Sequence, residues 1–305
     1  MWVEVRCMRL RTVSIAAVVC LATTVPAHAE YAAGVQLFRF KGIRISESSG
    51  LAESWRTPGI YWTHNDSPDV GPNLLGNFFG VGPDGTTITE FSLRGSVNVD
   101  WEDMAIGPGS SGEASSLYFA DFGDNYEARP FVVIYEVSEP AVNPATPVVD
   151  IVPTAVHVLA YEDGPHNAET FLVDPRDGSF AIVTKDNDGH SGLYEVAVPA
   201  PPGPPRLMAR TAELDVTAIA TGSSLTTTGG AIAPDRSRLV IRTYHEAFEW
   251  ELGTQTLAAA LSAPPLRIAL PTTQQGEAIT YTADSVALLT SSEGTFGPVH
   301  RLDPL

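Results

Sequence analysis

A chain of 305 residues with 36 acidic against 18 basic side chains carries a formal net charge of −18 at neutral pH. That balance excludes nucleic acid as an expected partner, because binding it requires clustered Lys and Arg to neutralise phosphates. No apolar run reaches the ~20 residues of a membrane-spanning helix, and the length suffices to bury a large core without covalent staples.

Residues 1–29 read as a secretory signal: Arg6, Arg9 and Arg11 precede an apolar run from Val13 to Leu21, and Ala27-His28-Ala29 offers a cleavage site. Val19 stands where a lipid-attachment site at Cys20 would want a small residue. The two cysteines, Cys7 and Cys20, both fall in this segment, so a secreted chain of residues 30–305 has no thiol for disulfides or metal. Removing three Arg and one Glu leaves 15 basic against 35 acidic residues, a net charge near −20.

From residue 30 the chain repeats itself, which indicates a repeat architecture. An apolar segment at 35–40 comes first. The first repeat then runs from Ser49-Gly50-Leu51-Ala52 to an apolar stretch ending His64-Asn65-Asp66, to Phe79 two residues before Val81, to a strand over Thr87–Leu93. The second has Glu102-Asp103-Met104-Ala105, a stretch ending at Asp121 and followed by Gly123-Asp124-Asn125, then Tyr135 before Val137, then Ala155–Tyr161. The third has Glu169-Thr170-Phe171-Leu172, a stretch ending Lys185-Asp186-Asn187, Tyr194 before Val196, and residues 206–214. The fourth has Thr228-Gly229-Gly230-Ala231, a stretch ending Arg242-Thr243-Tyr244-His245-Glu246, Trp250 before Leu252, and residues 265–270. The fifth has Glu277-Ala278-Ile279-Thr280, a stretch ending Ser292-Glu293, and His300 before Leu302, and the chain stops at Leu305.

The aromatic positions advance by 56, 59, 56 and 50 residues. Four strands per repeat predict an all-β, five-bladed β-propeller, with residues 35–40 supplying the last blade's missing strand and closing the ring. A six-bladed reading would split the longer second or fourth repeat. Pro- and Gly-rich stretches at 140–147 and 199–205 punctuate it as loops, and one monomeric domain is expected.

In each repeat the start of the innermost strand lies beside the end of the second strand, because the pair is antiparallel. One mouth of the channel therefore gathers Glu47, Asp100, Glu102, Asp103, Glu169 and Glu277 from strand starts. It gathers His64, Asp66, Asp121, Lys185, Arg242, Tyr244 and Glu293 from strand ends. Like charges so close need a cation or raised pKa values, and Ca2+ with its six to eight oxygen ligands answers that need. The expected ligand set is Glu102, Glu169, Glu277, Asp103 and Asp121. Lys185 and Arg242 either pair with these carboxylates or hold an anionic group beside the ion, and His64 and His245 are either bases or ligands or hydrogen-bonding rim residues; in the catalytic version His64 is the base and the reaction is metal-assisted hydrolysis of an ester or phosphoester. Two alternatives stay open: a non-catalytic peptide- or glycan-binding module, and a glycoside hydrolase using two of the carboxylates. Asp100, Asp124, Asn125 and Asn187 read as turn formers, and Phe79, Tyr135, Tyr194 and Trp250 as packing between blades.

Glu47-Ser48-Ser49-Gly50-Leu51-Ala52, Trp62-Thr63-His64-Asn65-Asp66, Asp100-Trp101-Glu102-Asp103-Met104-Ala105, Gly123-Asp124-Asn125, residues 163–169, Ile241-Arg242-Thr243-Tyr244 and Ser291-Ser292-Glu293-Gly294 resemble the motifs of a family of secreted bacterial β-propeller proteins. That resemblance spans nearly all of residues 30–305, and the family implies little about activity. More distantly, the acid placement is similar to phytase-like and lactonase-like propellers, which implies Ca2+ at the channel. Gly229 departs from the pattern, standing where Asp103 places a carboxylate.

Overall fold

The computed structural model describes residues 30–67, 74–197 and 204–305. The export signal expected at 1–29, both cysteines and most of the proline-rich stretch at 199–205 lie outside the described residues. A short strand β1 (Val35–Arg39) precedes the first antiparallel sheet, β2 (Ser48–Glu53), β3 (Tyr61–Asn65), β4 (Gly76–Val81) and β5 (Thr87–Leu93). The second sheet is β6 (Trp101–Gly107), β7 (Ser116–Asp121), β8 (Val132–Ser138) and, after an intervening β9 (Val148–Ile151), β10 (Ala155–Tyr161). The third is β11 (Ala168–Val173), β12 (Phe180–Thr184), β13 (His190–Val196) and β14 (Arg206–Asp215). The fourth is β15 (Thr227–Ile232), β16 (Arg238–Thr243), β17 (Glu246–Glu251) and, after a one-turn helix α1 (Leu257–Leu261), β18 (Leu266–Ala269). The fifth is β19 (Gly276–Tyr281), β20 (Leu288–Ser292) and β21 (Pro298–Leu302), completed by β1 on its outer edge.

The fold is all-β and propeller-like. The inner strands β2, β6, β11, β15 and β19 touch in cyclic order, with β19 returning to β2. One apolar core fills each junction between successive sheets, and the near-continuous apolar runs of the inner and second strands explain it: each sheet buries both faces against neighbours. Trp62, Phe78, Phe91, Trp101 and Phe119 form the junction of sheets one and two. Phe38, Leu51, Phe79, Ala278 and Leu289 join sheet five to sheet one. That last core links the two ends of the described chain.

At two of the contacts between inner strands the approach is close enough to require glycine. A Cβ on Gly229 would stand 2.7 Å from the Glu277 carbonyl, and one on Gly50 would stand 2.7 Å from the Met104 backbone nitrogen. Gly229 thus owes its place to packing against β19, which is why the carboxylate of the second repeat has no counterpart there. Two outer pairings were not legible in the repeat: β9 runs parallel along β5, and β14 runs parallel along β10, fusing sheets two and three at their rims.

Candidate functional site

Every inner strand begins with a break in register against its neighbour. The shifts fall between Ser48 and Gly50, Trp101 and Asp103, Ala168 and Thr170, Thr227 and Gly229, and Gly276 and Ile279. A β-bulge of this kind frees a residue from strict alternation and re-aims its side chain. The residues inside the five breaks are Ser49, Glu102, Glu169, Thr228 and, with Ala278, Glu277. The repeat alignment put the same five residues first in each copy, without seeing that the backbone bulges there.

Two of the five are hydroxyl residues that tie strands together. Ser49 Oγ donates to the Glu102 carbonyl, and Thr228 Oγ1 donates to the Gly276 carbonyl at 3.2 Å. The other three are glutamates, all buried. Lys185 Nζ, from the end of β12, forms an ion pair with Glu169 and donates to Tyr244 Oη at 3.0 Å, with its ammonium 5.4 Å from the centre of the Tyr244 ring. Glu277 is 3% exposed, and its Oε2 is buried with no hydrogen-bond partner.

Burial raises the carboxyl pKa of Glu102 well above the usual range, and the nearby Glu169 and Asp100 charges push the same way. Burial also drives Glu169 up to about 8 against the opposing pull of Lys185, with Glu277 adding to the rise. Burial raises Glu277 as well, against a hydrogen bond from Gln275 and the pull of the Lys185 and Arg242 charges, and its Oε2 is the oxygen without a partner. Burial brings Glu293 up to about 8 with help from Glu277, Asp66 and Glu47, and brings Asp100 up to about 6 with help from Asp66. Burial works against the Lys185 ammonium, but the Glu169 carboxylate outweighs it and the pKa of Lys185 rises. These cross-influences place Glu102, Glu169, Glu277, Asp66, Asp100, Glu293 and Lys185 in one electrostatic cluster.

Four residues expected to do chemistry are committed elsewhere. Asp103 accepts backbone N–H bonds from Met104 at 2.8 Å and from Phe171 at 2.9 Å, so it ties β6 to β11. Asp121 is ion-paired with Arg129 at 2.9 Å and accepts from the Asp100 backbone nitrogen at 3.1 Å. Arg242 is 1% exposed and donates to the carbonyls of Thr243, Ala278 and Tyr244 and to Thr290 Oγ1, so its guanidinium is engaged within the fold. His64 is fully buried, donates from Nδ1 to the Asn65 carbonyl at 3.0 Å, and packs edge-on against Trp101 and Phe119. Burial lowers its pKa to about 4, so it stays neutral and cannot reach a ligand as a base. Arg129, unread in the sequence because its loop has no counterpart in other repeats, also donates to the Gly123 carbonyl at 2.9 Å and shapes that loop.

Among the described residues, no group of three or more acidic, His or Cys side chains is arranged to hold a metal ion. The donor set agrees with that geometry: two of the five expected Ca2+ ligands are engaged by backbone N–H groups or Arg129, and Glu169 already holds an ammonium. The residues as placed do not fit a resident calcium ion. Below the acidic layer the ring is plugged by Met104, Ile106, Phe171, Val173, Ile232 and Tyr281, around a space of only about 20 Å³. A hollow of about 340 Å³ lies at the opposite end, between sheets three and four. Its Arg236 is fully engaged by Asp174 and by the Gly253 and Gln255 carbonyls.

No family model and no curated protein sequence matches the chain. Among solved structures, the holo form of the PQQ domain of a pyranose dehydrogenase from Coprinopsis cinerea superposes with a TM-score of 0.47 at 11% identity, over 85% of this chain and 82% of that one.

Proposed function

We propose that the protein is an exported five-bladed propeller that acts as a binding module, capturing a positively charged group at the acidic mouth of its ring. The observation that carries this is Glu277: a bulge delivers it to the mouth, and its buried Oε2 has no partner. A carboxylate oxygen removed from water without a donor costs stability, and a cationic donor from outside recovers that cost. Lys185 pairs directly with Glu169 and acts only at longer range on Glu102 and Glu277, which have Asp66, Asp100 and Glu293 around them. A cation arriving there favours the ionised form of carboxyls whose pKa burial has raised, so capture of the cation and ionisation of the site are coupled.

Titration calorimetry with Ca2+, Mg2+, n-butylammonium and acetate tests this reading. At least one cation should bind, acetate should not, and Glu277→Gln should weaken cation binding at least tenfold. Equal binding of acetate, or cation binding indifferent to Glu277→Gln, overturns it. The engagement of Arg242 and His64 within the fold favours this binding reading over hydrolysis.

A further inference from the structure

Resting on that reading, we propose that the captured group is the Lys or Arg side chain of a polypeptide. The charged end sits at Glu277, and the flanking residues rest on the apolar loops around the mouth. Three observations converge on this class of ligand.

The first is the unpartnered, buried Glu277 oxygen, a position for one donor. The second is that the protein already displays the interaction within itself. Lys185 threads a four-carbon stem to a bulge carboxylate, Glu169, with an aromatic ring beside its ammonium. Glu277 occupies the equivalent bulge of the fifth sheet and lacks such a lysine, because Ser291 and Ser292 end the strand that would supply it. The third is the surface at the same end of the ring. Val97 and Val99, Tyr126 and Phe296 stand 44%, 56%, 93% and 49% exposed on the loops that follow β5, β7 and β20. Backbone bonds bind these loops to one another around the mouth: Gly123 N donates to the Asp100 carbonyl at 3.1 Å, Trp101 N to the Asp66 carbonyl at 3.0 Å, and Gly294 N to the Ser46 carbonyl at 2.8 Å.

A bare metal ion or a small polyamine gains nothing from those apolar side chains. A peptide with apolar residues beside its Lys or Arg buries them, and aromatic and apolar anchors around a charged centre are the anatomy of a peptide-binding hot spot. The plug of Met104, Phe171 and Tyr281 beneath the acidic layer stops a threading chain, so a side chain fits where a strand could not.

The test uses fluorescence anisotropy on the protein over residues 30–305, with a mixture of labelled heptapeptides. Each has a central Lys and flanks drawn from Leu, Val, Phe and Tyr. Binding should fall at least tenfold when the central Lys is replaced by norleucine or acetyl-lysine. It should fall at least tenfold in Glu277→Gln, and three- to tenfold in Val99→Ser combined with Phe296→Ser. Thermal unfolding of each variant confirms that it is folded, and the surface double variant serves where Glu277→Gln does not fold. Affinity unchanged by loss of the central charge, or by the loop variants, overturns the peptide assignment. Binding of Ca2+ or spermidine without binding of any peptide also overturns it while leaving the cationic reading intact. Failure of every cation to bind overturns both.

Discussion

At the scale of single residues, the five residues that head the repeats have split roles, and stability should report the split. A carboxyl whose pKa is raised on folding binds its proton more tightly in the folded state. It therefore favours folding below its unfolded pKa, and that contribution is lost as pH rises through the folded value. With Glu169 and Glu293 both at about 8, the melting temperature of the ligand-free protein should fall steadily between pH 5 and pH 9. His64 acts at the other end: burial lowers it to about 4, so stability present above the usual imidazole pKa is lost as pH falls from ~6.5 toward 4. A stability maximum near pH 5, with the fall on its alkaline side steeper because at least two carboxyls act there against one histidine, is the expected result of thermal scans. Glu102→Gln should raise the melting temperature at pH 9, by about 2–4 °C for each kcal/mol relieved. That gain should shrink at pH 5, where the native carboxyl is already protonated. Asp103→Ala should do the reverse, costing about 2–4 kcal/mol in denaturant unfolding at pH 7, because it strands the buried N–H groups of Met104 and Phe171. The sequence showed which carboxylates recur at equivalent places. It did not show that Asp103, one residue from Glu102, faces a neighbouring strand's backbone, since that distinction depends on a register break that only strand pairing reveals.

At the scale of elements, the strand periods were readable because apolar alternation and the recurring aromatics survive in every repeat, and the spare segment at 35–40 does pair on the edge of β21. What pattern could not supply were the parallel rim strands and the bulges, which arise from tertiary contact. The closing strand offers a direct test. Tyr31 Oη donates to Glu249 at 2.8 Å, and Tyr31 also forms an isolated bridge with Pro304, fastening the start of the described chain to sheets four and five. Tyr31→Phe should cost about 1.5–3 kcal/mol, the worth of a hydrogen bond to a charged group, since its hydroxyl also accepts from Arg238 at 2.6 Å. Deleting residues 30–40 should do far more, since it bares the edge of β21 and removes Phe38 and Phe40 from the core that joins sheets five and one. Loss of a single cooperative unfolding transition and concentration-dependent aggregation are the expected outcomes. A truncated protein that melts like its parent would mean that the ring does not depend on this strand.

At the scale of the whole molecule, the sequence's acidity says more about how a ligand arrives than about what holds the sheets together. A net charge of −18 over 305 residues sets up a field that extends well beyond the mouth at low ionic strength, while the three bulges that carry glutamate fix where a captured cation sits. The Debye length shrinks from about 30 Å at 0.01 M salt to about 8 Å at 0.15 M. Long-range attraction of a basic peptide should be screened over that interval, whereas its contact with the buried Glu277 oxygen should not, because that site is shielded from salt by protein. The two effects separate kinetically. Steering acts on association, so the association rate of a Lys-centred heptapeptide measured by stopped flow should drop about tenfold or more between 0.01 and 0.15 M salt. Short-range contacts act on dissociation, so the dissociation rate should change by less than about threefold over the same range. Glu277→Gln should invert the pattern, raising the dissociation rate at both salt concentrations and leaving association nearly unaltered, because one charge in eighteen contributes little to the far field. An association rate insensitive to salt would mean that the mouth is not the focus of the molecule's field. The chain's acidity would then serve solubility alone.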